Sequence, residues 1–498
     1  MRPDKRVGVN VRIRIAATLA AAAMLATQLG ACGKTITGTP RAVGDIDAGT
    51  AAGIPIDNSK PSGPKQGVPD GSLNVENADN GEMDKLAINA LSDVYDYWAE
   101  QMPAEFDGQK FEPLKRLVSY DSNGTAMKIC NASTAKSVNA FYCSLDDSVS
   151  WDRGVLLPML NKQFGPMSVV AVLAHEMGHA VQFRLGKKSN ISQATPTIVK
   201  EQQADCYTGA FFRHVAEGKS KHFEINVGKG LNQVLATMFF IRDPAGLSAN
   251  KQGAHGLAFD RVFAFQAGFT EGPRRCAKMD PDEINSRIAE KERNTQDEQA
   301  GGQADVTDKK NLGLLRKSLD EAFKRTGAAP PEIKDNGAKC ADGSSTPPAT
   351  YCAEENIVSI DLGALKKIAT PPKRGQEPGE DGNGIGDFAA FAEIASRYSL
   401  AIQKSVGVSL EGEKTGLRTA CLTGAWSAFT VDKVPSDGDG GLHIAVGDLD
   451  EAVAELLQDT SLIAADVKGV QIPSGFARVE AFRVGYFDGD KGCATQFS

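Results

Sequence analysis

The sequence predicts an α+β fold used twice in tandem, each copy a small sheet packed with a central apolar helix and further helices. Three observations predict it. Several segments carry helical periodicity, one stretch between them is strand-like, and three ordered blocks of the N-terminal half recur in the C-terminal half. A length of 498 residues suits two to four domains with sizeable cores. Hydrophobic residues at 41% and charged residues at 24% exclude a disordered or collagen-like chain, and a net charge of −8 argues against nucleic acid as a partner.

The first element is an export signal over residues 1–31. Arg2, Lys5, Arg6, Arg12 and Arg14 form a positive leader and Ala16 to Leu29 an apolar core, too short for a spanning helix. It ends in Leu29-Gly30-Ala31-Cys32, which resembles the lipobox of bacterial lipoproteins; that resemblance makes Cys32 the lipidated residue and places the protein on the extracytoplasmic side of the cell membrane. Residues 32–79, rich in Gly, Pro, Ser, Thr and Asp without periodicity, read as a flexible tether.

Order is expected from residue 80. Met83, Leu86, Ala87, Ala90, Leu91, Val94, Tyr95 and Trp98 lie on one helix face, and Ala140 to Trp151 is strand-like. A strongly apolar helix follows from Ser168 to Leu185, stopped by Gly186 and Lys187-Lys188, and another starts near Pro196. A charged connector over 281–310 separates a first domain, 80–280, from a second, 311–498.

The second domain repeats the first. Tyr142-Cys143 through Asp152 lines up with Tyr351-Cys352 through Asp361, and Cys206-Tyr-Thr-Gly-Ala210 with Cys421-Leu-Thr-Gly-Ala425. Arg261-Val262 through Gly268, Gly272 and Cys276 match Arg478-Val479 through Gly485, Gly489 and Cys493 at one constant offset. Of nine cysteines, Cys32 is assigned to lipid, and eight remain for an oxidising compartment; none forms a CxxC pair. A duplicated fold closes the same bridges twice, so the expected pairs are Cys130–Cys143, Cys206–Cys276, Cys340–Cys352 and Cys421–Cys493.

The chemistry lies in His175-Glu176-Met177-Gly178-His179. Positions i and i+4 put both imidazoles on one helix face, able to grip one zinc ion, while the intervening Glu reaches the bound water. With six histidines in the chain, chance gives such a pentapeptide on the order of 0.005 times. A third ligand is required, and the position six residues past the second His is Leu185. Glu201 and Asp205, four apart on the next helix, supply a ligand and a partner for the second N–H of a ligating His.

HEMGHAVQ, EQQADCYTGAFF and AHGLAFDRVFAFQAGF, with the upstream NAFYC and Trp151-Asp152, resemble the bacterial putative neutral zinc metallopeptidases, a branch of the HExxH-plus-Glu gluzincins, over roughly residues 80–280. The resemblance implies a zincin-like domain with His175, His179 and Glu201 as ligands of one Zn2+ per chain and Glu176 as general base. Two departures, Ala180 after the second His and no Trp in Phe263-Ala264-Phe265, leave the metal site untouched.

In the second copy Ser396, Arg397 and Leu400 stand where His175, Glu176 and His179 stand, and Gly416 and Ala420 replace Glu201 and Asp205. That copy is expected to be zinc-free, since an Arg in place of the base repels the ion. What both copies keep, Asp152/Asp361 and Arg261/Arg478 included, reads as architecture. His255 has no counterpart and reads either as a loop residue or as a catalytic donor to the oxyanion of the tetrahedral intermediate; His214, His222 and His443 read as surface residues. The expected function is a membrane-anchored zinc metallopeptidase acting on protein or peptide, an endopeptidase rather than an exopeptidase, with the strand near Val149–Trp151 offering its edge to the substrate by family analogy. The alternative is a non-catalytic binding or scaffold lipoprotein with a residual zinc site.

Overall fold

The computed structural model describes residues 46–240, 256–287, 304–371, 384–432, 442 and 447–498. The leader, Cys32, His255, His443 and residues 288–303 of the expected connector lie outside the described residues. Those described fall in one unit, and most of their buried apolar side chains form one core that runs through both halves, with two small satellite clusters beside it. The fold is α+β, with several small sheets among many helices. No helix among the described residues is long and apolar enough to cross a membrane.

Residues 46–79 do not behave as the expected tether. β1 (Thr50–Ala51) pairs with β2 (Ile54–Pro55), and Ala48 and Ala51 are buried in the core. β3 (Gly63–Pro64) pairs further on with Phe223–Glu224, Lys65 N donates to His222 O, and Glu76 bridges to Val118. The segment is aperiodic because the body, not a regular element, satisfies its backbone groups. His222, expected at the surface, is buried here. Its main-chain N–H and ring Nδ1 meet the Asp93 carboxylate, and Nε2 lies 3.1 Å from Pro69 O.

α1 (Glu82–Glu105) begins where the periodicity predicts and buries Leu86, Ala90, Leu91, Val94 and Trp98. Its Asp84 is fully buried, accepting from Trp151 Nε1 at 2.9 Å and Ser119 Oγ at 2.6 Å, which locks the helix to the sheet behind it. That sheet contains β4 (Arg116–Tyr120); after the small hairpin of β5 (Lys128–Ile129) and β6 (Ala132–Ser133) come β7 (Ala140–Cys143) and β8 (Ser148–Asp152). The order is β4-β8-β7, with β4 parallel and β7 antiparallel to β8. The strand-like stretch is therefore a hairpin. Val149–Trp151 lies in the middle strand with both edges paired, whereas β7 is paired along one edge only among the described residues.

α2 (Leu156–Phe164) leads into α3 (Pro166–Leu185), which starts two residues before the expected Ser168 because Pro166 serves as its first residue. α3 is apolar nearly all round and sits in the core. α4 (Thr197–Ala216), β9 (Phe223–Glu224), α5 (Lys229–Phe240), α6 (Ala258–Glu271) and the short α7 (Pro273–Cys276) follow. α8 (Pro281–Arg287) opens the expected solvated connector, yet Ile284 and Arg287 are buried, and the Arg287 guanidinium lies 4.2 Å from the Phe263 ring centre.

The second half runs α9 (Lys309–Ala322), β10 (Glu332–Asp335), β11 (Ala349–Cys352), β12 (Ile357–Ile360), α10 (Leu362–Ala369), α11 (Asp387–Ser405), α12 (Glu413–Asp432), α13 (Asp448–Leu457) and α14 (Gly475–Gln496). Its sheet has the order β10-β12-β11, again one parallel and one antiparallel pair. Disulfides join Cys130 to Cys143, Cys206 to Cys276, Cys340 to Cys352 and Cys421 to Cys493, with Cα separations of 5.7, 5.4, 5.4 and 5.6 Å.

Candidate metal centre

α3 and α4 pack so closely at Gly178 that a Cβ there would lie 2.9 Å from the Ala204 Cα. This approach brings the polar residues of two otherwise apolar helices face to face. His175 Nε2 lies 3.1 Å and His179 Nε2 3.5 Å from the same oxygen, Glu201 Oε2. The three ligand atoms all fall within 4.8 Å of one another. His175 and Glu201 are buried, at 4% and 8% exposure, while Glu176 and His179 open onto a cleft of about 430 Å3. Two imidazole nitrogens and a carboxylate oxygen, convergent and shielded, form a donor set that fits zinc.

A second tier of groups orients these side chains. Asp205, fully buried on α4, accepts from His175 Nδ1 at 2.8 Å, and Arg261 on α6 grips both its oxygens, Nη2 to Oδ1 at 2.8 Å and Nε to Oδ2 at 2.9 Å. On the other imidazole, His179 Nδ1 faces Gln182 Oε1 at 3.1 Å, and Gln182 Nε2 donates to Lys200 O at 2.6 Å. Glu176 Oε2 accepts from the Tyr142 main-chain N–H of β7 at 2.9 Å.

The electrostatics follow from this packing. Burial pushes His175 down, but Asp205 and then Glu201 outweigh it and raise the imidazole to about 10. His179 is also raised, by Glu201 against burial. Glu201 is held well below the carboxylate range by the two imidazoles despite its burial, and Asp205 is lowered chiefly by Arg261. Glu176 alone moves the other way: burial raises it, only partly offset by the imidazoles. A carboxyl raised toward neutrality beside a cation site suits a group that takes and returns a proton.

Arg261 and Gln182 escaped the sequence reading. Arg261 looked architectural because Arg478 matches it, but Arg478 donates instead to the carbonyls of Ile472, Leu456 and Gln458. Gln182 sits one turn beyond His179, a spacing that could have flagged it. In the second half, the position matching Glu176 is Arg397, fully buried, donating to the carbonyls of Leu462, Ala465 and Asp466 at 2.6 to 2.9 Å. Glu393, one turn earlier on α11, accepts from Ser461 Oγ and Leu462 N. Segment 461–466 thus packs directly against the residues that align with the candidate metal-binding face.

Residues 48–279 match the family described as putative neutral zinc metallopeptidase. An uncharacterized protein of Mycobacterium tuberculosis strain H37Rv is 28% identical over 162 residues, covering 28% of this chain and 55% of that protein, and one of Mycobacterium bovis matches to the same extent. The uncharacterized protein YpfJ of Escherichia coli K12 is 27% identical over 209 residues, 39% of this chain and 71% of its own length. The chain spans about half the length of the mycobacterial relatives it matches. No solved structure matches.

Proposed function

We propose that the chain is a zinc-dependent endopeptidase, lipid-anchored through Cys32 on the extracytoplasmic side of the cell membrane. The observation that carries the reading is the convergence of His175, His179 and Glu201 on one point in a cleft that also holds Glu176. When bound, zinc supplies a Lewis acid that acidifies the attacking water and polarises the scissile carbonyl. Glu176, steadied at one oxygen by Tyr142 N–H, accepts the proton of that water and returns it to the leaving amine. Asp205 and Arg261 keep His175 in the tautomer that leaves Nε2 free to ligate.

β7 supports cleavage within a chain rather than at its end. It pairs only with β8 among the described residues, and since Tyr142 N–H points to Glu176, strand alternation turns the main-chain groups of Ala140 the same way. An extended peptide can pair along this edge with its scissile bond over Glu176.

We read the C-terminal half as a degenerate copy that serves as a built-in partner. Its matching strand order, its bridges and two pairs of contacts support this. Gly209 and Gly268 stand where α4 crosses α6, and Gly424 and Gly485 where α12 crosses α14; a Cβ at any of the four would strike the other helix's backbone. Phe259 meets Tyr486 at 5.3 Å between ring centres and Phe476 meets Phe269 at 5.3 Å, a reciprocal pair under the offset that aligns the halves. Gln266 and Arg483, matching positions, bond to each other at 2.8 Å. This is the pattern of a two-fold interface, here within one chain.

Metal analysis of the purified full chain tests the reading. One zinc per chain, lost in His175→Ala with His179→Ala, is expected. Two zinc ions, or zinc surviving that double substitution, would overturn it.

A further inference from the structure

Gln182 lies three residues beyond His179 on α3 and is buried. The two ends of its amide are not interchangeable. Lys200 O, 2.6 Å away, can only accept, so the NH2 end must face it and Oε1 is left toward His179 Nδ1 at 3.1 Å. An amide oxygen only accepts, so it demands the proton on Nδ1 and leaves Nε2, the atom facing Glu201, without one. Lys200 directly precedes Glu201 on the chain, so the same amide ties the helix of one ligand to the helix of another.

The matching residue of the second half separates the two roles. Gln403 Nε2 donates across to α12, to Thr419 Oγ1 at 3.0 Å, so the helix-to-helix tie persists. Its Oε1 has no hydrogen-bond partner among the described residues, and the position corresponding to His179 is Leu400. The tie is common to both halves; the acceptor is used only where there is a histidine to hold.

We propose that Gln182 is a positioning residue for His179, fixing its ring tautomer through Oε1, as Asp205 does for His175. This rests on the reading of His179 as a zinc ligand. The two imidazoles are thereby held differently, one by a carboxylate neutralised by Arg261 and one by an uncharged amide.

The test is zinc affinity of the full chain, measured by chelator competition, in Gln182→Met, Gln182→Glu and Gln403→Met, with the cobalt(II) absorption spectrum of each. Gln182→Met keeps the volume and loses both bonds; it should weaken zinc roughly 10–100-fold and alter the cobalt spectrum. Gln182→Glu keeps an acceptor for His179 but loses the donor to Lys200, and should stay within about threefold of the parent. Gln403→Met should leave both readouts unchanged. Unaltered affinity and spectrum in Gln182→Met would overturn the proposal, as would a Gln182→Glu loss equal to that of Gln182→Met or an equal loss in Gln403→Met. Should Gln182→Met fail to fold, the Gln182→Glu spectrum and affinity decide alone. A parent chain that binds no zinc would refute the zinc reading itself, a separate outcome from zinc binding that ignores Gln182.

Discussion

Adding one methyl at Gly209 should damage both the fold and the metal centre, whereas the same change at Gly424 should damage only the fold. A Cβ on Gly209 would lie 2.8 Å from the Phe265 carbonyl carbon and 2.9 Å from Phe269 N, and would overlap the Phe265 oxygen outright. A Cβ essentially never sits within 3.0 Å of another heavy atom and the Phe265 oxygen would be 1.9 Å away, so α4 and α6 must part by at least about 1.1 Å, and no side chain can swing aside to relieve it. Overpacking of this kind costs typically 1–3 kcal/mol. With backbone on both sides, about 3 kcal/mol is expected, near 150-fold in the folding equilibrium. One turn away, Asp205 on α4 and Arg261 on α6 are joined by bonds of 2.8 and 2.9 Å. Parting the helices stretches that pair and loosens His175, which should weaken zinc by roughly tenfold or more. At Gly424 the Cβ would lie 2.8 Å from the Phe482 carbonyl carbon and 3.1 Å from Tyr486 N, so the stability cost is similar, but no ligand depends on that crossing. Denaturant unfolding of the metal-free proteins measures the first effect and chelator competition the second. A cost below about 1 kcal/mol for Gly209→Ala, or equal zinc losses in both variants, would refute the reasoning.

Other outcomes follow from the same geometry. Asp205→Asn should weaken zinc by about 10–100-fold, read by the same competition assay, since the amide cannot match the carboxylate between His175 and Arg261. Replacing both cysteines of the Cys206–Cys276 bridge, separated by 70 residues, should lower unfolding free energy by up to about 4 kcal/mol; removing Cys130–Cys143, separated by 13, should cost nearer 3 kcal/mol in the same denaturation experiment. Asp84→Ala leaves the Trp151 indole N–H and the Ser119 O–H without an acceptor in the core and should cost about 3 kcal/mol or more in the same denaturation experiment. From the sequence alone, since His255 lies outside the described residues, a donor to the oxyanion at that position predicts that His255→Ala lowers kcat with little change in KM and no loss of zinc; steady-state kinetics with a metal assay decides it.

Much of the candidate centre was legible because its signals are local. His175, Glu176 and His179 share a helix, and the spacing of i and i+4 places them on one face whatever surrounds them. Glu201 and Asp205 share another, and the cysteine order repeats between halves. What escaped was set by packing between distant segments. β8 reads as an edge because nothing near it in sequence reveals its parallel partner, Arg116–Tyr120, which only the fold brings alongside. Residues 46–79 read as a tether because composition cannot foresee that His222, Phe223 and Val118 offer partners to their backbone. Arg261 reads as architecture in the sequence because both copies keep an Arg there, and only the geometry distinguishes a carboxylate partner from three carbonyls. Gln182 is silent in the sequence because the direction of its amide is set by Lys200 O, which only the packing of α3 on α4 brings within reach.

The central claim is that Glu176 moves the proton in a cleft whose ligands it does not help to form. Glu176→Gln tests it most directly, with zinc content and hydrolysis of a long unstructured peptide measured on the same preparation. The expected result is one zinc per chain in both proteins, with hydrolysis lost by several orders of magnitude in the variant because the ligands remain and the base is gone. Chelator-sensitive hydrolysis that persists in Glu176→Gln, or a zinc-loaded parent that cleaves no peptide, would contradict the account.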